Sequence, residues 1–235
     1  MRVLIGSLCL AVGMTINVAT APAASLGLFG TVEFKAESLA ALPQWRRVLQ
    51  GIAAEEPTYR ACAADPRACP GRSAMAWRAL LDGLDGAPRM EQIRAVNRFV
   101  NQWRYKSDQE NFGKSDHWQT PLEFFARSGD CEDYAIAKYV SLRQLGVPPS
   151  AMRMVVLQDT IRDVAHAVLA VEADDDIWIL DNLTNAVLPH TRLAHYAPYY
   201  SVNEQARWAH VSRSSTLVTA IDPRILRGDR PGAQR

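Results

Sequence analysis

The chain has 235 residues, with 26 lysines and arginines against 25 aspartates and glutamates, for a formal net charge of +1. So even a balance leaves no electrostatic footprint for nucleic acid, and no basic stripe interleaved with aromatics is present. Internal repeats, heptads and low-complexity tracts are missing too, and the length suffices for one domain with a substantial core.

Met1 and Arg2 give a positive start, residues 3–18 are largely apolar, and Ala19-Thr20-Ala21-Pro22-Ala23-Ala24 offers small-residue cleavage sites. Residues 1–24 therefore read as a secretory signal, the apolar run being shorter than the roughly 20 residues that span a bilayer. Residues 25–222 are expected to form the exported domain. Thiols pair in an oxidising compartment, so Cys62 and Cys69, enclosing a short loop with Pro66, are expected to be bridged. Cys9 leaves with the signal, and Cys131 remains as the single free thiol.

Residues 44–53 and 74–81 read as short helices on either side of that loop. Pro88 opens a longer one, with Met90, Ile93, Val96, Phe99, Val100 and Trp103 near one face. Thr120, Pro121 and Glu123 make a capping box with proline at the first helical position. Strand candidates begin only at Met152, with residues 152–157, and continue with 164–171 and 176–181. Helices first and strands later is the α+β pattern. Trp103, Trp118 and Trp178 read as core or pocket-wall aromatics; His117, His190, His195 and His210 lack zinc spacing and read as surface or loop residues, with His117 a possible lining of a substrate groove. Residues 223–235, polar with Pro231 and Gly232, read as a disordered tail.

The chemistry concentrates in Ser128-Gly129-Asp130-Cys131-Glu132-Asp133-Tyr134. Asp130 has the character of an N-cap with Asp133 at the third helical position, and Gly146 followed by Pro148 ends the helix. Cys131 then falls in the first turn, where unpaired amides and the helix dipole favour the thiolate. Alone, such a cysteine is as readily a buried structural residue.

A base and its orienter lie on the following hairpin. If residues 172–175 form a four-residue turn and Val171 pairs with Asp176, His166 stands directly opposite Asp181, within reach of a hydrogen bond. His166 shares its face with Val168 and Ala170, and Asp181 with Ile179 and Ile177, so both polar groups point toward apolar surroundings. Cys131, His166 and Asp181 together have the nucleophile, base and orienter chemistry of acyl transfer.

The segments Thr120-Pro121-Leu122-Glu123-Phe124, Gly129 to Tyr139, His166-Ala167-Val168-Leu169 and Leu180-Asp181-Asn182 resemble the bacterial transglutaminase-like cysteine proteinases. The resemblance implies a papain-like or transglutaminase-like core, in which a cysteine-bearing helix packs on an antiparallel sheet carrying histidine and aspartate. It implies the triad Cys131, His166 and Asp181, and calcium on Asp130 and Glu132, with Asp133 a weaker candidate. It further implies a periplasmic, calcium-dependent endopeptidase that cuts a large surface adhesin near its N-terminus, so controlling biofilm attachment, and is sequestered by the periplasmic part of an inner-membrane cyclic di-GMP receptor. Physically, three acids around a thiol raise its pKa, a conflict that a bound dication would relieve; the alternative is that the acids only cap the helix. Transglutaminase or amidase chemistry with the same triad, and a catalytically silent binding module, remain alternative readings.

Overall fold

The computed structural model describes residues 27–212; the expected signal at 1–24 and the tail at 223–235 lie outside the described residues. The fold is α+β. Strand β1 (Val32–Ala36) is followed by helices α1 (Pro43–Ala64), α2 (Arg72–Gly83), α3 (Arg89–Val100), α4 (Asp108–Phe112), α5 (Pro121–Arg127) and α6 (Cys131–Gln144). Then come β2 (Met152–Asp159), β3 (Val164–Ala173), β4 (Asp176–Leu180), β5 (Leu188–Pro189), β6 (Tyr196–Val202) and β7 (Arg207–Val211). The seven strands form one antiparallel sheet in the order β1-β7-β6-β2-β3-β4-β5.

Helix α6 is buried from Asp133 to Leu142 on every side, between β2 and β3 of the sheet and helices α3 and α5. A helix so enclosed needs no polar face, and its sequence has none. Strand β3 is likewise covered on both faces. Leu169 and Val171 join the main core with Trp45, Phe124 and Ile136, while Val168 and Ala170 join a smaller one with Leu28, Leu157 and Ile179. Two covered faces explain its unbroken apolar run.

Three expectations need correction. Strands do not begin at Met152: β1 pairs with β7 at the sheet edge, Phe34 opposite Ala209, a contact across most of the chain that no local pattern announces. Helix α1 does not stop at residue 53 but runs through Pro57 to Ala64, because Tyr59 and Cys62 are buried and tertiary packing outweighs the lost backbone bond. His210 is no surface residue: it is buried on β7, its ring nitrogens 2.9 Å from Thr31 Oγ1 and from Ser201 Oγ.

The expected bridge between Cys62 and Cys69 is formed, closing a short loop between α1 and α2. Replacing both cysteines by serine is expected to cost about 2.5 kcal/mol through the freed unfolded chain, lowering Tm by roughly 5–10 °C. Thermal melts with and without reductant check this. A wild-type Tm that reductant leaves unmoved would mean that packing alone holds the loop. Among the described residues, no helix is long and apolar enough to cross a membrane.

Candidate active site

Cys131 opens α6, with Asp130 at the N-cap. The Asp130 amide donates to Asp133 Oδ2 at 3.2 Å, so the third helical residue reaches back as the spacing suggests. Asp133 also accepts from the Gln119 amide and from Gln119 Nε2, both at 2.6 Å, tying the segment before α5 to the start of α6. A side chain at Gly129 would collide with Asp133, so only glycine allows this approach.

The hairpin departs from its expected register. Ala173 pairs with Asp176 around a two-residue turn, Asp174-Asp175, with φ values of 51° and 59°. Aspartate tolerates this left-handed pair, but without the usual glycine the turn reads from sequence as longer. The register therefore slips by two residues, and Asp181 does not stand directly opposite His166. An even slip preserves the face, and the diagonal is within reach. His166 Nε2 lies 2.9 Å from Asp181 Oδ1, with both residues buried.

Asp181 is held from three sides. Besides His166, the Leu183 amide donates to Oδ1 at 2.9 Å and the Tyr196 hydroxyl to Oδ2 at 2.5 Å. Burial alone would raise its pKa, but these bonds and the imidazole hold the carboxyl below its ordinary value. Tyr196 was not legible as a site residue: it enters from β6, and nothing near it in sequence marks it.

Cys131 and His166 line one cavity of about 320 Å³, together with Trp118, Asp130, Glu132 and Tyr200. With Nε2 facing Asp181, Nδ1 is the ring nitrogen left for proton exchange. The thiol, however, donates its hydrogen bond to Glu132 Oε2 at 3.3 Å rather than to the imidazole. Burial pushes the thiol pKa up strongly, Glu132 and Asp130 add to it, and the Ala167 amide opposes them. His117 is not among the residues lining this cavity.

The acids around the sulfur are in conflict with one another. Burial and like-charge neighbours push Asp108 up to about 6, Asp133 to about 8 and Glu132 to about 9, and Asp130 is raised as well. Their oxygens converge in two sets, Asp108 with Asp130 and Asp133, and Asp108 with Asp116 and Glu132, each with ligand atoms within 4.8 Å of one another. Asp130 and Glu132 thus fall in different sets, and Asp108 belongs to both. Buried Asp108 Oδ1, Asp130 Oδ1 and Gln119 Oε1 have no hydrogen-bond partner. An all-oxygen donor set with orphaned buried carboxylate atoms fits a calcium ion. Asp108 and Asp116 escape a sequence reading because Asp108 reads as an ordinary first-turn acid of α4 and both lie well upstream of the cysteine.

Comparison with known proteins agrees with this architecture. The family described as bacterial transglutaminase-like cysteine proteinase matches residues 53–216. Legionella pneumophila LapG is 30% identical over 68% of this chain and 91% of its own, with a TM-score of 0.57. A calcium-bound structure of the same Legionella protein is 28% identical over 71% of this chain and 98% of its own, and an EGTA-treated one 29% identical over 67% and 91%, both with TM-scores of 0.57. No curated protein matches the chain.

Proposed function

The chain belongs to the bacterial transglutaminase-like cysteine proteinases and is a cysteine peptidase, and from that premise we propose that it is a periplasmic, calcium-dependent endopeptidase working through Cys131, His166 and Asp181. The observation that carries this reading is the buried His166–Asp181 hydrogen bond beside the one free thiol among the described residues.

In the proposed mechanism Asp181 fixes the imidazole as the Nε2–H tautomer, leaving Nδ1 to take the proton of Cys131. The thiolate adds to the scissile carbonyl carbon, and the negative oxygen is met by the Cys131 backbone amide at the start of α6. The imidazolium returns its proton to the leaving amine as the C–N bond breaks, giving a thioester. Water, deprotonated by the same Nδ1, attacks the thioester and releases the acid product and the thiol.

Asp108, Asp130, Asp133, Asp116 and Glu132 would hold the calcium ion, which supplies positive charge where the acids otherwise oppose the thiolate. A calcium-bound state is known for Legionella LapG; its extension to this chain rests on the orphaned oxygens of Asp108 and Asp130. From the family resemblance the substrate is a large surface adhesin cut near its N-terminus, and the inhibitory partner the periplasmic part of a cyclic di-GMP receptor in the inner membrane.

The test is to incubate the protein with surface adhesins of its own organism, with calcium or with EGTA, and to read the products by mass spectrometry. Two new chain ends, formed only with calcium, are expected. A new isopeptide bond in place of cut ends would instead establish acyl transfer to an amine, and intact adhesins would refute the substrate class.

A further inference from the structure

The loop that carries Asp181 is pinned from the helical layer. Asn101 follows the last residue of α3, and its Nδ2 donates to the main-chain oxygen of Asp181 at 2.9 Å, to that of Thr184 at 2.9 Å and to Asn185 Oδ1 at 3.2 Å. Three oxygens converging on one amide nitrogen settle which end of the side chain is the donor. One turn earlier Asn97, fully buried, donates to the same Thr184 oxygen at 3.1 Å.

The rest of the loop closes on itself. The Leu183 amide donates to Asp181 Oδ1 at 2.9 Å and the Ala186 amide to Thr184 Oγ1 at 3.1 Å. These short-range turns fix the shape of the loop but not its distance from the nucleophile. That distance is set through α3, which packs against α6, the helix that begins with Cys131. Asn101 itself is absent from the lining of the Cys131 cavity.

We propose that Asn101 is a positioning residue that, by holding the main-chain oxygens of Asp181 and Thr184, sets where the Asp181–His166 pair stands relative to Cys131. It rests on the reading of Asp181 as the acid that orients His166. Because the imidazole is bonded to the Asp181 carboxylate, a shift of the loop carries the ring with it, and a misplacement of about 1 Å can cost on the order of 10²-fold in rate. The substitution Asn101→Asp separates donation from space-filling. It keeps the side-chain shape but replaces the amide donor with a carboxylate facing carbonyl oxygens.

The experiment measures two quantities on the full chain with calcium present: the rate of iodoacetamide alkylation of Cys131 at pH 7, by peptide mass mapping, and the proton resonance of His166 Nε2–H. In Asn101→Asp the alkylation rate is expected to fall about tenfold, and the downfield Nε2 proton to broaden or vanish. Both changes should persist at the lowest temperature measured. A loss that disappears on cooling is an unfolding effect and overturns the proposal. Asp181→Ala serves as the reference: if it loses both signals while Asn101→Asp keeps them, the positioning role falls and the triad stands. If Asp181→Ala keeps them as well, the reading of Asp181 itself is wrong. Should Asn101→Asp not fold, Asn97→Ala, which frees one bond to the same Thr184 oxygen, carries the test. A smaller change in the same direction is expected of it, and unchanged signals would overturn the proposal.

Discussion

Cys131→Ala is expected to abolish cleavage, by on the order of 10⁵-fold or more, while the protein keeps its fold and melts within a few degrees of wild type. The sulfur is only part-exposed and lines the cavity, so its removal leaves no core void and costs only the hydrogen bond it donates to Glu132. Alanine is also a good first-turn residue. His166→Ala should be as inactive, since no other imidazole lines the cavity. It should cost more stability, because it strips Asp181 of a buried partner and leaves that carboxylate to Tyr196 and the Leu183 amide. The double variant should be no slower than either single one, as expected when two groups act as a unit. Progress curves of adhesin cleavage beside circular dichroism and melting measure all three. Residual cleavage by Cys131→Ala within a hundredfold of wild type would take the sulfur out of the mechanism.

Much of this site could be read before the fold was known, for reasons that are local. Asp130, Cys131 and Asp133 lie within four residues, so capping chemistry alone put the thiol at a helix start. The pairing of His166 with Asp181 was legible because strand alternation assigns faces that any even change of register preserves. The expected register was wrong by two residues, and parity rescued the inference; a slip of one would have destroyed it. What stayed hidden comes from distant segments. Tyr196 reaches Asp181 from β6, Asn101 from the end of α3, and Asp108 from the first turn of α4. Each has an unremarkable local identity as a strand aromatic, a residue just past a helix or a first-turn acid. Strand β1 was missed for the same reason, since its partner β7 lies at the other end of the domain.

Removal of calcium is expected to have the other large effect, and its pH dependence carries the diagnosis. In the cation-free protein Asp108, Asp133 and Glu132 hold their protons up to about 6, 8 and 9, whereas in the unfolded chain such groups lose them near 4. At these three groups the folded state thus binds more protons than the unfolded one between about pH 4 and 9, so their contribution to stability falls as pH rises through that window. A bound dication keeps the carboxylates ionised in the fold and removes the slope. Tm in EGTA should therefore drop steadily from pH 5.5 to 8.5, and the gain from calcium should be smallest at pH 5.5 and largest at pH 8.5. EGTA should slow iodoacetamide labelling of Cys131 most at the top of this range, where Asp133 and Glu132 begin to ionise without a countercharge and oppose the thiolate. Asp108→Asn, which takes the one carboxylate common to both oxygen sets, should weaken calcium binding roughly tenfold or more. It should also flatten part of the slope in EGTA. Equal Tm with and without calcium at pH 8.5 would mean that these acids serve only the helix start.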